Sequence, residues 1–102
     1  MTQKLSYNAA LVLQALLRGH RYGFEVMRVT ELPSGTVYPL LRRLESSGLV
    51  ESSWERTDPA QEGRPRRRYY ALTPPGSHAL AAAQERIAAQ RQLFHGPLGT
   101  TD

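Results

Sequence analysis

At Gly48 the apolar spacing of the chain changes from threes and fours to twos, and that switch limits what it can fold into. Before Gly48, Val37, Leu40, Leu41 and Leu44 fall on a single stripe of a helix. After it, Val50, Ser52 and Trp54 alternate with Glu51, Ser53 and Glu55, the period of a strand. Gly48 suits the left-handed residue that closes a helix. Ser34 and Thr36 both qualify to open that helix, since either hydroxyl can accept an orphaned backbone N–H. Pro39 favours Thr36, because proline would then lie in the first turn, where its missing N–H costs nothing.

The opposite face of this helix carries Gly35, Thr36, Tyr38, Pro39, Arg42, Arg43 and Ser46. Hydroxyls stand at its start and two arginines follow about a turn later. Such a face suits a phosphate backbone and the edges of guanine bases. The alternative is an ordinary solvated face, and the flanking segments bear on the choice.

Upstream, Ser6 to Arg18 reads as a helix that is apolar almost all the way round, stopped by Gly19. His20 to Gly23 is a short connection. Phe24 to Val29 is a second, short helix expected to turn Phe24, Met27 and Val26 inward. Thr30 to Pro33 then turns into the basic helix, which makes a helix-turn-helix arrangement. Downstream, the strand from Leu49 to Arg56 is followed by Thr57 to Pro65, which is dense in breakers, so no regular structure is expected there. Arg66 to Leu72 returns as a second strand with Arg68, Tyr70 and Leu72 on one side. The base of this hairpin carries Arg64, Arg66, Arg67 and Arg68. A helix-turn-helix followed by such a hairpin is a winged helix, so residues 1–73 read as a winged helix-turn-helix domain of α+β, mostly helical class.

Thr73 is positioned to cap a last helix and Pro74 to occupy its first position. Residues 74–95 then form a C-terminal helix, richest in helix formers from Ala79 to about Phe94. Leu80, Ala83, Ile87, Gln90 and Phe94 recur by threes and fours, a seam for pairing with another helix. That helix belongs either to a second copy of the chain or to the same domain. The surplus apolar surface of the first helix favours a homodimer, with Leu80, Ala83, Ile87 and Phe94 at the dimerisation seam. Residues 96–102 read as a disordered tail.

With 102 residues and a net charge of +4, the chain is one small domain that favours a polyanionic partner. It has no cysteine, which excludes disulfides, thiolate nucleophiles and cysteine-ligated zinc. His20, His78 and His95 are scattered over different elements, so no metal or other cofactor is expected. No catalytic constellation is visible, and an enzyme is not expected. No apolar run is long enough to cross a bilayer and the N-terminus lacks a signal-peptide pattern, so a soluble cytoplasmic protein is expected.

Taken together these blocks resemble the PadR family of bacterial transcriptional regulators. Tyr22-Gly23-Phe24-Glu25-Val26 looks like the family's opening of helix two, and Gly35 to Glu45 is similar to its recognition-helix block. Gly48-Leu49-Val50-Glu51 with Trp54-Glu55, and Gly63 to Thr73, resemble the outgoing and returning halves of its wing. The resemblance implies a homodimeric, sequence-specific repressor of the short C-terminal type, whose last helix packs on the partner. It implies DNA contact by Ser34, Thr36, Tyr38, Arg42 and Arg43, and by Arg64, Arg66 and Arg67 in the wing. Tyr38 as a core residue is the alternative there, and Arg68 ranks lower because it points inward with Tyr70. A small aromatic or amphipathic effector between subunits is also permitted, with Trp54 and Phe94 as candidates beside the simpler reading of Trp54 as packing. The competing function is a winged-helix protein-interaction module without sequence-specific DNA binding.

Overall fold

The computed structural model describes residues 4–95. They form α1 (Tyr7–Leu17), α2 (Gly23–Thr30), α3 (Ser34–Ser46), β1 (Val50–Trp54), α4 (Pro59–Glu62), β2 (Arg68–Leu72) and α5 (Pro74–His95), with β1 and β2 antiparallel. This is the mostly helical, two-stranded architecture of a winged helix. The tail expected at residues 96–102 lies outside the described residues. Among the described residues, no helix is long and apolar enough to cross a membrane.

The core is built around α1. Ser6 Oγ accepts the Ala9 N–H at 3.1 Å and opens the helix. Val12 and Leu13 then meet Val26, Val37, Leu41 and Val50 with no more than traces of exposed surface. Each such side chain contributes about 1.5–3 kcal/mol over its exposed state. The stripe on α3 packs as its spacing predicts, with Val37, Leu40, Leu41 and Leu44 all buried.

The end of α3 also follows the sequence. Gly48 has φ +78°, its N–H donates to the Glu45 carbonyl at 3.0 Å, and the Leu49 N–H donates to the Leu44 carbonyl at 2.9 Å. That pair of bonds is a Schellman closure. It reverses the chain directly into β1. The start of α3 differs from expectation: neither Ser34 nor Thr36 caps it. The helix begins at Ser34, and the Pro33 carbonyl accepts the N–H groups of Thr36 and Val37 at 2.9 and 3.0 Å. Pro33 already holds the extended conformation that a cap needs, so no side-chain acceptor is recruited. Pro39 therefore lies inside the helix rather than in its first turn.

The short helix α2 corrects a second expectation. Phe24 is 66% exposed, and Val26 is the residue driven fully into the core. The inward stripe is Gly23, Val26, Met27 and Thr30, spaced by threes and fours, and Phe24 lies one residue off it.

In the sheet, Val50 pairs with Leu72, Ser52 with Tyr70 and Trp54 with Arg68. Strand alternation puts these pairs on one face, grading from apolar near α5 to polar near the wing tip. Two features at the sheet were not expected. Pro59–Glu62 closes one helical turn inside the breaker-rich segment, where Asp58 accepts the Ala60 N–H at 3.0 Å and Pro59 takes the first position. Arg21 and Tyr22, read as plain connection, add a short third strip to the sheet. The Tyr70 N–H donates to the Arg21 carbonyl at 2.8 Å, and Tyr22 bridges Tyr69.

Thr73 caps α5 as predicted, its Oγ1 accepting the Gly76 N–H at 3.1 Å, and the same hydroxyl donates to the Gly48 carbonyl at 2.6 Å. The helix then passes across α1. Leu80 and Ala83 are buried in the chain's own core, Ile87 is half-buried, and Phe94 is 79% exposed. The predicted seam is thus shared: its first half closes this domain and its second half faces outward.

Candidate nucleic-acid interface

Two neighbouring elements carry the predicted contact residues, α3 and the wing. On α3, Ser34, Arg42 and Arg43 are exposed and Thr36 and Pro39 are half-buried. Because Pro33 begins the helix through its carbonyl, the hydroxyls of Ser34 and Thr36 are not occupied by capping. The N–H groups of the first turn of a helix favour anions. Arg42 and Arg43 make no hydrogen bond or ion pair among the described residues, which leaves both guanidiniums free to meet a base edge or a phosphate.

Tyr38 is 40% exposed, and the rest of its ring lies over the start of α2. It occupies the space above Gly23, where any side chain would collide with the ring. Tyr38 is therefore neither a core residue nor a freely swinging one. Its packing on Gly23 holds it beside Thr36 and Arg42 at the front of the helix.

The wing arginines divide by role. The guanidinium of Arg64 donates from Nη1 and Nη2 to the two carboxylate oxygens of Glu55 at 2.7 and 2.9 Å. It also lies 3.6 Å from Glu62. The same carboxylate accepts the Arg67 backbone N–H at 3.2 Å and the Tyr69 hydroxyl at 3.1 Å. Bonding to Arg64 above all, helped by the Arg67 N–H and Tyr69, lowers the Glu55 pKa to about 2, against some opposing desolvation. The reciprocal pairing raises the pKa of Arg64. Bidentate geometry of this kind is among the stronger hydrogen-bonded arrangements, and here it ties the return of the wing to its outgoing strand.

Arg67 lies with its guanidinium carbon 4.2 Å from the centre of the Tyr22 ring, and that ring meets Tyr69 edge-on at 5.8 Å. Arg66 donates from Nε to the Thr57 carbonyl at 2.9 Å, and its remaining donors are exposed. Arg68 lies 5.2 Å from the Trp54 ring centre, and Trp54 itself is 57% exposed. Sequence reasoning passed over Arg56, which follows Glu55 at the start of the wing turn. It is exposed and unpaired among the described residues. Position alone does not separate Arg56 from Arg64, since only the fold shows which arginine meets Glu55.

The two residues proposed for an effector stand apart, Trp54 on β1 and Phe94 in the last turn of α5. An apolar groove lies elsewhere, between α1 and α5. It measures about 270 Å³ and is lined by Tyr7, Leu11, Gln14, Leu80 and Ile87 among others. Among the described residues no group of acidic or histidine side chains could hold a metal ion.

The same fold recurs in solved structures. PcaV, a transcriptional regulator from Streptomyces coelicolor solved in complex with its natural ligand, superposes with a TM-score of 0.79 at 23% identity, over 94% of this chain and 64% of PcaV. The chain thus spans under two thirds of that regulator's length. A PadR family transcription regulator from hypervirulent Clostridium difficile matches over nearly its whole length, with a TM-score of 0.75, 26% identity, and coverage of 91% of this chain and 99% of that one. A PadR-like regulator from Bacillus cereus gives a TM-score of 0.72 at 22% identity, covering 89% and 90%. No curated protein matches the sequence. Residues 12–82, from the middle of α1 into α5, match the transcriptional regulator PadR-like family. With the helix-turn-helix, the wing and the basic face in place, this chain belongs to the PadR-like family of DNA-binding transcriptional regulators, a family of regulators and not of enzymes.

Proposed function

We propose that two copies of this chain form a cytoplasmic repressor that binds a double-stranded operator through α3 and the wing, and that a small aromatic or amphipathic effector releases it. The observation that carries the DNA reading is the contrast among the arginines. Arg64 and Arg67 are engaged in holding the wing's shape, whereas Arg42, Arg43 and Arg56 keep open donors on its neighbouring surfaces. Free guanidiniums on a recognition helix suit the major groove, and a basic wing suits the adjacent minor groove.

Pairing is supported by apolar surface that α1 and α5 leave exposed. Tyr7 and Leu17 on α1 are 61% and 55% exposed, and Leu93 and Phe94 on α5 are 70% and 79% exposed. The outward seam comprises Ile87, Leu93 and Phe94. The groove between α1 and α5 supports an effector site better than Trp54 does, and PcaV, solved in complex with its natural ligand, lends support to a ligand-responsive reading of this fold.

The test is fluorescence anisotropy with the DNA upstream of the protein's own gene against a scrambled duplex, over a salt series. A sequence-specific regulator prefers the upstream DNA, and its log affinity falls by about 0.9 per phosphate contact for each decade of salt. Equal binding to both duplexes places the operator elsewhere or removes specificity. Absence of binding at low salt favours the interaction-module reading.

A further inference from the structure

Between α3 and the sheet lies a cleft of about 510 Å³ lined by Arg42, Glu45 and Ser46 of α3 and by Arg68 and Tyr70 of β2. Its arrangement is asymmetric. Ser52 Oγ donates to Glu45 Oε2 at 2.6 Å, and Arg68 Nε donates to Ser52 Oγ at 3.0 Å. The Arg68 Nη2 stands 3.6 Å from the same Glu45 oxygen, near enough for charge attraction but not for a hydrogen bond. The Arg68 head is therefore oriented by its bond to Ser52, the Glu45 charge, the Trp54 ring and the Tyr70 hydroxyl, and these do not take up all of its terminal N–H groups. Arg42, one helical turn before Glu45 and Ser46, makes no hydrogen bond or ion pair among the described residues. Two guanidiniums against one carboxylate leave the cleft with a net positive charge, and the hydroxyls of Ser46 and Tyr70 complete a donor set suited to a tetrahedral anion.

The place of this cleft identifies the anion. The wall between a major groove and the neighbouring minor groove is a phosphate strand. If α3 enters the one and the wing the other, that strand crosses the gap between them. We propose that this cleft is a seat for a DNA phosphodiester, with Arg68 and Arg42 clamping the backbone between the two grooves. The inference rests on the DNA reading above and adds to it a contact residue that strand alternation alone hides. Glu45 is the positioning residue: through Ser52 it aims Arg68 across the cleft. Contact there is independent of base sequence and sets how deeply helix and wing sit together.

The experiment uses the full chain and a fluorescein-labelled mixed-sequence duplex, with affinity read by anisotropy across a potassium chloride series. Arg68→Gln and Arg42→Gln should each reduce the slope of log affinity against log salt by roughly 0.9. Arg68→Lys, which keeps the charge, should retain the wild-type slope. Ser46→Asp changes an exposed side chain without entering the Glu45–Ser52–Arg68 network, so it keeps the test open should Arg68→Gln fail to fold. It should weaken binding severalfold by placing an anion in the seat. Wild-type slopes and affinities in both Arg68→Gln and Ser46→Asp overturn the proposal. A wild-type chain that ignores the duplex even at low salt overturns the DNA reading itself, and the two failures are thereby distinct.

Discussion

The ring of Tyr38 fills the space where a side chain on Gly23 would stand: a Cβ built there lies 2.6 Å from the Tyr38 Cζ and hydroxyl oxygen. The helix-turn-helix thus presents its tyrosine by leaving a hole on the preceding helix. Gly23→Ala should push the ring outward. Since the obstacle is the far end of a side chain, the cost in stability should stay below about 1 kcal/mol, partly offset by alanine's better helix propensity. DNA affinity should fall while the melting temperature hardly moves. Gly76→Ala offers the contrast, because its Cβ would overlap the backbone carbonyl of Leu49. That obstacle cannot swing aside, and the loss should reach about 1–3 kcal/mol in a denaturant melt. Equal effects at the two glycines would refute this distinction.

Glu55 and Arg64 should act as one unit. If Arg64 holds the wing and does not touch DNA, Glu55→Gln, Arg64→Ala and the double variant should weaken DNA binding to similar degrees, with the double no worse than either single change. If Arg64 contacts DNA directly, its loss should exceed that of Glu55→Gln and the effects should add.

The same pair predicts a dependence on acid. The folded-state pKa of Glu55 lies below its ordinary value of 4.5, at about 2. Its contribution to stability is therefore fully present above pH 4.5 and declines as pH falls through that window toward 2. An NMR titration of the Glu55 carboxyl carbon should show its midpoint displaced far below the ordinary 4.5. A midpoint near 4.5 would mean that the wing network does not persist in solution.

Glu31, which closes α2, holds a left-handed conformation with φ +60°. That region costs a side-chain-bearing residue roughly 1–2 kcal/mol. Glu31→Gly removes the strain but adds about 0.4–1 kcal/mol of unfolded-state freedom. A net gain of up to about 1.6 kcal/mol is expected, read as a rise in urea midpoint at constant slope. A fall in midpoint would show that the Glu31 side chain contributes more than the strain removes.

Phe94 and Leu93 test the assembly. Replacing both by serine leaves the core untouched, since each is more than two-thirds exposed. Light scattering should then report a shift from dimer to monomer, with the helical circular dichroism of the domain largely kept. An unchanged mass would place the pairing surface elsewhere.

Much of this molecule follows from local rules. The stripe on α3, the glycine that closes it, the threonine that caps α5 and the alternation of the two strands each depend on residues within a few positions of one another. Steric and hydrogen-bonding preferences act at that range, so the sequence by itself determines them. The start of α3 and the inward face of α2 were less legible, because several neighbouring residues could serve and packing chose among them. Other features depend on residues far apart in the chain. Arg21 and Tyr22 join the sheet only because α1 and α2 bring them beside β2. Leu80 and Ala83 look like partner-facing seam until α5 is laid on α1. Arg56 and Arg64 are alike in composition and setting, yet only Arg64 returns to within bonding distance of Glu55. Charge can be counted along a sequence, but whether a charge is spent internally or left for a partner is a matter of distance, and distances are set by the tertiary fold.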